Sequence, residues 1–133
     1  MPLLTRLFVK LALLWLVVAM AAQAAAAWTP PGATTRGLQV AAFHALAVGW
    51  LTQMVFGVAI WMFPKRKGDA PRGSDLLGRW VLLLLNVGVA LRLAAEPVST
   101  RGGGWAWAFV AAGVAQLGAA IGFALLVRGR IRG

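Results

Sequence analysis

Four long apolar stretches constrain what this chain can fold into more than any other feature of its sequence. A helix needs about 20 mostly apolar residues to cross the hydrocarbon core of a bilayer. Stretches of this length lie at roughly 7–27, 38–63, 76–96 and 105–127, and prolines, glycines or charges separate them. The sequence therefore predicts an all-α fold, an integral membrane four-helix bundle that forms a single transmembrane domain over residues 1–133.

The composition agrees with this class and excludes several kinds of site. Only 12% of the residues are charged, whereas a soluble domain has about 25%. There is no cysteine and only one histidine, so disulfides, thiolate metal sites and a multi-histidine site within one chain are excluded. Neither a phosphate-binding glycine loop nor a serine–histidine–acid set is present, and the chain is not expected to be an enzyme on its own.

Positive charges are grouped on alternate connections, which predicts how the helices are oriented. Cytoplasmic loops carry an excess of Lys and Arg, so both termini and the 64–75 loop are expected in the cytoplasm, in a multi-pass protein of the cell (inner) membrane. Topology and anionic lipid then account for the net charge of +10, and no nucleic-acid partner is expected. The basic residues that carry this prediction are Arg6, Lys10, Lys65, Arg66, Lys67, Arg72, Arg79, Arg128, Arg130 and Arg132.

The tryptophans support the same spans and the same orientation. Trp and Tyr concentrate at the two membrane–water interfaces. Trp28, Trp105 and Trp107 are expected at the outer interface, and Trp61 and Trp80 at the inner one.

The first stretch has a second interpretation, as a secretory signal. Arg6, Lys10, an apolar run and then "AQAAAA" resemble a signal peptide with an A-x-A cleavage site. The apolar run is longer than the core of a signal, which has about 7–15 residues. A retained helix is therefore favoured; cleavage would leave three helices with the second one in the same orientation.

The second stretch contains His44, the only histidine, within "FHALAVGWLTQMVFGVAIWMFP" at 43–64. An ionisable side chain in a membrane helix usually points into the bundle and often marks function. A neutral imidazole has one lone pair, which suits a haem iron. At about 100° per residue, Val48, Leu51 and Val55 are expected on the same helix face. The alternative is a histidine that only hydrogen-bonds to a neighbouring helix or an interfacial carbonyl.

Arg92 and Glu96 lie near the outer end of the third stretch, at a depth similar to that of His44. They are four residues apart and can meet on one helix face. One interpretation is a local pair in which Arg92 reaches for the interface. The other is that Arg92 faces inward and holds an anion, such as a haem propionate, while Glu96 keeps it in place.

Polar amides and small residues within the stretches are expected to hold the helices together. Side-chain hydrogen bonds between membrane helices contribute about 0.6–2 kcal/mol each. Gln53, Asn86 and Gln116 are interpreted in this way, with ligand contact as the alternative. Small residues let helix backbones approach closely. The positions expected to pack are Gly49, Gly57, Ala111, Ala115, Gly118 and Gly122.

Residues 38–97 resemble part of a known family. The histidine stretch, the basic loop after it and "NVGVALRLAAEP" are similar to the second-to-third helix region of the haem–copper oxidase and nitric-oxide reductase large subunit. They also resemble the NnrS family of membrane proteins of the nitric-oxide response. The resemblance implies that His44 is an axial haem ligand. The chain lacks the family's other histidines and has no tyrosine, so the two-metal chemistry of that family is not expected.

The expected function is therefore haem binding, with His44 on the iron and Arg92 on a propionate. The second axial ligand would come from His44 of another copy in a homodimer, from a subunit of a respiratory complex, or from a gas. Electron transfer, gas sensing or an accessory role in respiration or the nitric-oxide response would follow. The main alternative is a haem-free structural or assembly subunit of a membrane complex, and a small-molecule carrier is a weaker one.

Overall fold

A computed structural model describes residues 2–64, 74–99 and 104–131, and all regular structure within these ranges is helical. Four helices are each long and apolar enough to cross a membrane, which confirms the predicted all-α class. The basic residues between 65 and 73, together with Arg101 and Arg132, lie outside the described residues. The helices are the first, Leu3–Trp28, the second, Ala33–Met62, the third, Asp75–Ser99, and the fourth, Ala106–Ile131.

The third helix continues through a proline that directly follows the predicted stretch 76–96. Pro97 lies inside the helix, which ends only at Ser99. Proline lacks a backbone N–H, so the carbonyl of Leu93 loses its usual partner in the helix. This loss is tolerated because Pro97 stands in the last turn, where few hydrogen bonds remain to be broken. The helix therefore ends three residues after the predicted stretch 76–96.

The second helix contains a π-helical segment that no sequence pattern indicated. The segment Ala45–Thr52 begins directly after His44, and the hydroxyl of Thr52 donates to the carbonyl of Ala47 at 2.9 Å. A π-helix is wound with i→i+5 hydrogen bonds, so residues four apart no longer share a face across it. Leu51 and Val55 are each 53% exposed while Val48 packs against the core, so the face predicted to carry all three with His44 is not uniform.

The core is formed by all four helices. The second helix lies between the first and the third, and the fourth packs mainly against the third. The rings of Phe56 and Phe123 stack with centroids 3.8 Å apart, which brings the second and fourth helices into direct contact. The fully or nearly fully buried residues at the centre are Phe8, Ile60, Val81, Leu82, Leu85, Ala119 and Leu126.

The small residues singled out in the sequence lie at helix contacts within this chain. A methyl group at Gly57 would lie 2.7 Å from Cβ of Phe8 on the first helix. Gly122 is equally close to the third helix, because a methyl group there would lie 2.8 Å from Cγ2 of Val81. The other positions are Gly49 against Trp15, Gly118 near Leu84, Ala115 buried, and Ala111 only half-buried.

The second helix is capped at its C-terminal end by an arginine from the fourth. Arg130 is only 2% exposed, and its guanidinium donates to the carbonyls of Ile60 and Pro64, each at 3.0 Å. It also donates to the carbonyl of Phe63. Helix C-termini leave carbonyls without partners inside the helix. We call the end of the bundle that contains Arg130 the proximal end. The opposite end, where the second helix begins and the third helix ends, is called the distal end.

Candidate functional site

His44 is hydrogen-bonded through one ring nitrogen to the third helix. Its Nδ1 atom lies 3.0 Å from Oε1 of Glu96 and 3.0 Å from the carbonyl oxygen of Val40. A carbonyl oxygen only accepts, and this carboxylate oxygen also accepts from an arginine, so we assign the ring hydrogen to Nδ1. In the neutral imidazole, Nε2 then carries the lone pair.

The two side chains meet because their helices cross closely and run in opposite directions. A methyl group at Gly37 would lie 2.4 Å from the carbonyl oxygen of Glu96, so only glycine permits this approach. Side chains on a helix tilt toward its N-terminus. His44 therefore tilts toward the distal end, and Glu96 tilts away from it. The two side chains converge, although Gly37 lies about 10 Å along the helix from His44.

Arg92 extends the pair into a cluster that joins three helices. Its Nη1 atom donates to the same Oε1 of Glu96 at 3.3 Å. Its guanidinium carbon lies 5.9 Å from the centre of the Phe109 ring on the fourth helix, within the range of a cation–π contact. We call His44, Arg92, Glu96 and Phe109 the Glu96 cluster. The local pair expected from the sequence is thus present, and it includes His44 as well.

A cavity of about 360 Å³ opens beside this cluster at the distal end. It lies against the first turn of the second helix and contains two arginines and one carboxylate. His44 is not among its lining residues, so Arg92 borders the cavity and His44 does not. The lining residues are Ala33, Arg36, Gly37, Val40, Arg92, Glu96, Ser99 and Phe109.

The part of the chain that the structure describes contains no group of three or more His, Cys, Asp or Glu side chains that could hold a metal ion. His44 is the only histidine in the sequence, so one copy of the chain can offer a metal only one histidine ligand. A single histidine would suit a haem iron, because the porphyrin itself would supply most of the iron ligands.

The amides of the second and third helices form a separate network deeper in the bundle. Nε1 of Trp15 donates to Oδ1 of Asn86 at 2.7 Å, and Nδ2 of Asn86 donates to Oε1 of Gln53 at 2.9 Å. Gln53 in turn donates to the carbonyl of Phe8 at 3.2 Å. These bonds tie three helices together. Gln116 does not join them, and its buried Nε2 has no hydrogen-bond partner within the described structure.

Three features of the site were missed by reasoning from the sequence. The contact between His44 and Glu96 was not predicted, although both were placed at a similar depth, and that shared depth was the available signal. Arg36 was given no role in the site from the sequence, but it borders the cavity. Arg130 was used only as one of the basic residues that place the C-terminus in the cytoplasm, but its side chain is buried.

The chain was also compared with known proteins. Comparisons with protein-family models, with curated proteins and with solved structures found no match. They do not link the chain to the haem–copper oxidases or to the NnrS family, and that resemblance remains a prediction from residues 38–97. The case for a function therefore depends on the geometry of the Glu96 cluster.

Proposed function

We propose that this chain is a membrane haem-binding protein in which Nε2 of His44 ligates the iron. The observation that carries the proposal is the pair of contacts from Nδ1 of His44 to Oε1 of Glu96 and to the carbonyl of Val40, at 3.0 Å each. Histidines that ligate metals almost always donate their other ring N–H to a carboxylate or a carbonyl. Such a bond fixes the tautomer and makes the ligating nitrogen more basic.

The surroundings of His44 fit a haem on the flank of the second helix better than a haem inside the cavity. The His44 side chain is 23% exposed, and its neighbours Val40 and Phe43 are 47% and 63% exposed and offer an apolar surface. The cavity, in contrast, is not lined by His44. A haem on this flank needs a cover from a second copy or a partner subunit, either of which can supply the other axial ligand. Arg92 is the arginine proposed to hold a propionate.

A bound haem supplies an iron that changes oxidation state or binds a gas. We place the protein in the inner membrane, with both termini cytoplasmic, because of the distribution of basic residues. Electron transfer, gas sensing or an accessory role in respiration or the nitric-oxide response are the roles that follow. Its partners would be lipid, a second copy or subunits of a respiratory complex.

Visible spectroscopy tests haem ligation directly. The full chain is produced with ample haem, purified in detergent and scanned in the oxidised and reduced states. We expect a Soret band that is lost in His44→Ala and kept in Gln116→Leu, a control at another polar position. We expect Glu96→Gln to keep the band but to weaken haem affinity by about 10–100-fold, the usual effect of removing a partner of a metal-ligating histidine. A colourless wild-type protein overturns the proposal.

A second candidate is a haem-free structural or assembly subunit. The observation that favours it is that Glu96 already binds both His44 and Arg92, which links the second and third helices without any ligand. In this case the wild-type protein is colourless, and His44→Ala lowers its stability in detergent. The His44→Ala variant also loses any partner subunits that copurify with the wild-type protein.

A further inference from the structure

Glu96 has one carboxylate oxygen that no protein group satisfies. Its side chain is only 6% exposed, and the contacts from His44 and Arg92 both end on Oε1. Oε2 is buried and has no hydrogen-bond partner within the described structure. A buried carboxylate oxygen without a donor is costly, and Glu96 lines the cavity at the distal end. Nε of Arg92, which lines the same cavity, is a buried donor that also has no partner within the described structure. The site therefore has one acceptor and one donor that no protein group satisfies.

The same cavity is suited to an anion on its other side. Arg36 and Arg92 both line it, and it lies against the first turn of the second helix, which begins at Ala33. Arginine binds phosphate through paired charge-assisted hydrogen bonds, and a helix N-terminus attracts negative charge. A simple anion, however, would lie next to the Glu96 carboxylate and be repelled by it. A ligand with both a phosphate and an N–H cation satisfies both sides.

We propose that this cavity binds a phosphate ester carrying a primary ammonium, supplied by the headgroup of an amine-bearing phospholipid. The phosphate is held by Arg36 and Arg92, and the ammonium donates to the carboxylate of Glu96, whose Oε2 has no partner within the described structure. The source is a lipid because the cavity stands beside exposed apolar side chains on helices of membrane-spanning length. Val40 is 47% and Val110 65% exposed, and such surfaces accept acyl chains.

The ammonium requirement predicts selectivity among lipids of the same acyl length. Phosphatidylethanolamine has a phosphate and three N–H donors. Phosphatidylcholine has the same phosphate, but its quaternary ammonium has no N–H to donate. Phosphatidylglycerol has the phosphate and no cation. Because a hydrogen bond to a charged group contributes about one to two powers of ten in affinity, phosphatidylethanolamine is expected to bind about tenfold tighter than either of the others.

Native mass spectrometry of the full chain in delipidating detergent measures these affinities. Each of the three lipids, with identical acyl chains, is titrated against the wild-type protein. Glu96→Gln is expected to abolish the preference for phosphatidylethanolamine while phosphatidylglycerol still binds, which also shows that the variant is folded. Arg36→Gln changes an exposed residue and is expected to lower the affinity for each of the three lipids by about tenfold. Arg79→Gln, an exposed arginine near the proximal end, is the matched control and is expected to change none of them.

Two results would overturn this inference. One is equal binding of phosphatidylethanolamine and phosphatidylcholine to the wild type. The other is binding of free phosphorylethanolamine as tight as that of the lipid, because the ligand would then be a soluble compound. The inference does not require haem, and since both proposals use Arg92, that guanidinium holds either a propionate or the lipid phosphate at one time. The Soret band of Arg36→Gln is expected to match that of the wild type. Native mass spectrometry therefore reports lipid binding, and the visible spectrum reports haem ligation independently of it.

Discussion

Nδ1 of His44 and Oε1 of Glu96 lie 3.0 Å apart on two different helices, and Nη1 of Arg92 lies 3.3 Å from the same oxygen. One acidic side chain therefore organises the only histidine and an arginine in an otherwise apolar part of the chain. Polar groups in such surroundings are tolerated because they bind one another. The predictions below test this arrangement and the contacts that bring it about.

The hydrogen on Nδ1 of His44 can be observed directly. Because His44 is the only histidine, protein labelled with ¹⁵N-histidine gives one pair of ring nitrogen signals. We expect the Nδ1-protonated tautomer, since Glu96 and Val40 both present acceptors to that nitrogen. The same spectrum of Glu96→Gln should show a weaker preference, and Asp75→Asn, an exposed acid at the proximal end, should leave it unchanged. A dominant Nε2-protonated form in the wild type contradicts the assignment.

The close crossing at Gly37 is expected to be sensitive to a single methyl group. In Gly37→Ala the added carbon would lie 2.4 Å from the carbonyl oxygen of Glu96, so the helices must separate. We expect the free energy of unfolding in detergent to fall by about 1–3 kcal/mol, the usual effect of overpacking. The matched control is Gly113→Ala, where the added carbon meets nothing within 4 Å. Equal stability of the two variants would show that the crossing is looser than described.

The hydrogen bond between Trp15 and Asn86 can be measured with a double-mutant cycle. Trp15→Phe removes the indole N–H, and Asn86→Leu removes its acceptor together with the bond to Gln53. Each single variant should be less stable than the wild type, and the double variant less destabilised than their sum. We expect a coupling energy of about 0.6–2 kcal/mol, the range for such bonds between membrane helices. Additive effects would mean that the bond contributes nothing.

Arg130 is expected to stabilise the proximal end by capping the second helix. Arg130→Met removes its hydrogen bonds to the carbonyls of Ile60, Phe63 and Pro64 while keeping an unbranched side chain. We expect the unfolding free energy to fall by about 1.5–3 kcal/mol, because carbonyls are left without a charged donor. Arg128→Met changes an exposed arginine two residues earlier in the same helix and should have little effect. Arg130→Lys should recover only part of the loss, since an ammonium lacks the planar fork of donors.

The helices were predictable because an apolar run of about 20 residues, long enough to cross a membrane, can be recognised directly in the sequence. The apolar run that contains Val17 and the run that contains Leu83 each appear as a helix. Helix ends were less predictable, because a proline such as Pro97 in the last turn removes few hydrogen bonds and does not have to end the helix. The π-helical segment Ala45–Thr52 was not predictable either, since an apolar helix gives no sign of how its hydrogen bonds are wound.

The candidate site was predictable residue by residue but not as an arrangement. Arg92 and Glu96 are on one helix, so their spacing alone indicated that they would meet. His44 and Glu96 are on different helices, and their contact depends on how the helices cross at Gly37. The cavity beside Arg36 depends on the same crossing and on the position of the fourth helix.

The sequence by itself determined the class of protein, because four apolar stretches of sufficient length admit few folds other than membrane helices. It also determined which residues could carry chemistry, since His44, Arg92 and Glu96 are rare ionisable groups in those stretches. Only the tertiary structure decided that His44 joins Glu96 and that Oε2 of Glu96 has no partner within the described structure. The physical reason is that spacing along one helix fixes local neighbours, whereas contacts between helices depend on packing at distant small residues.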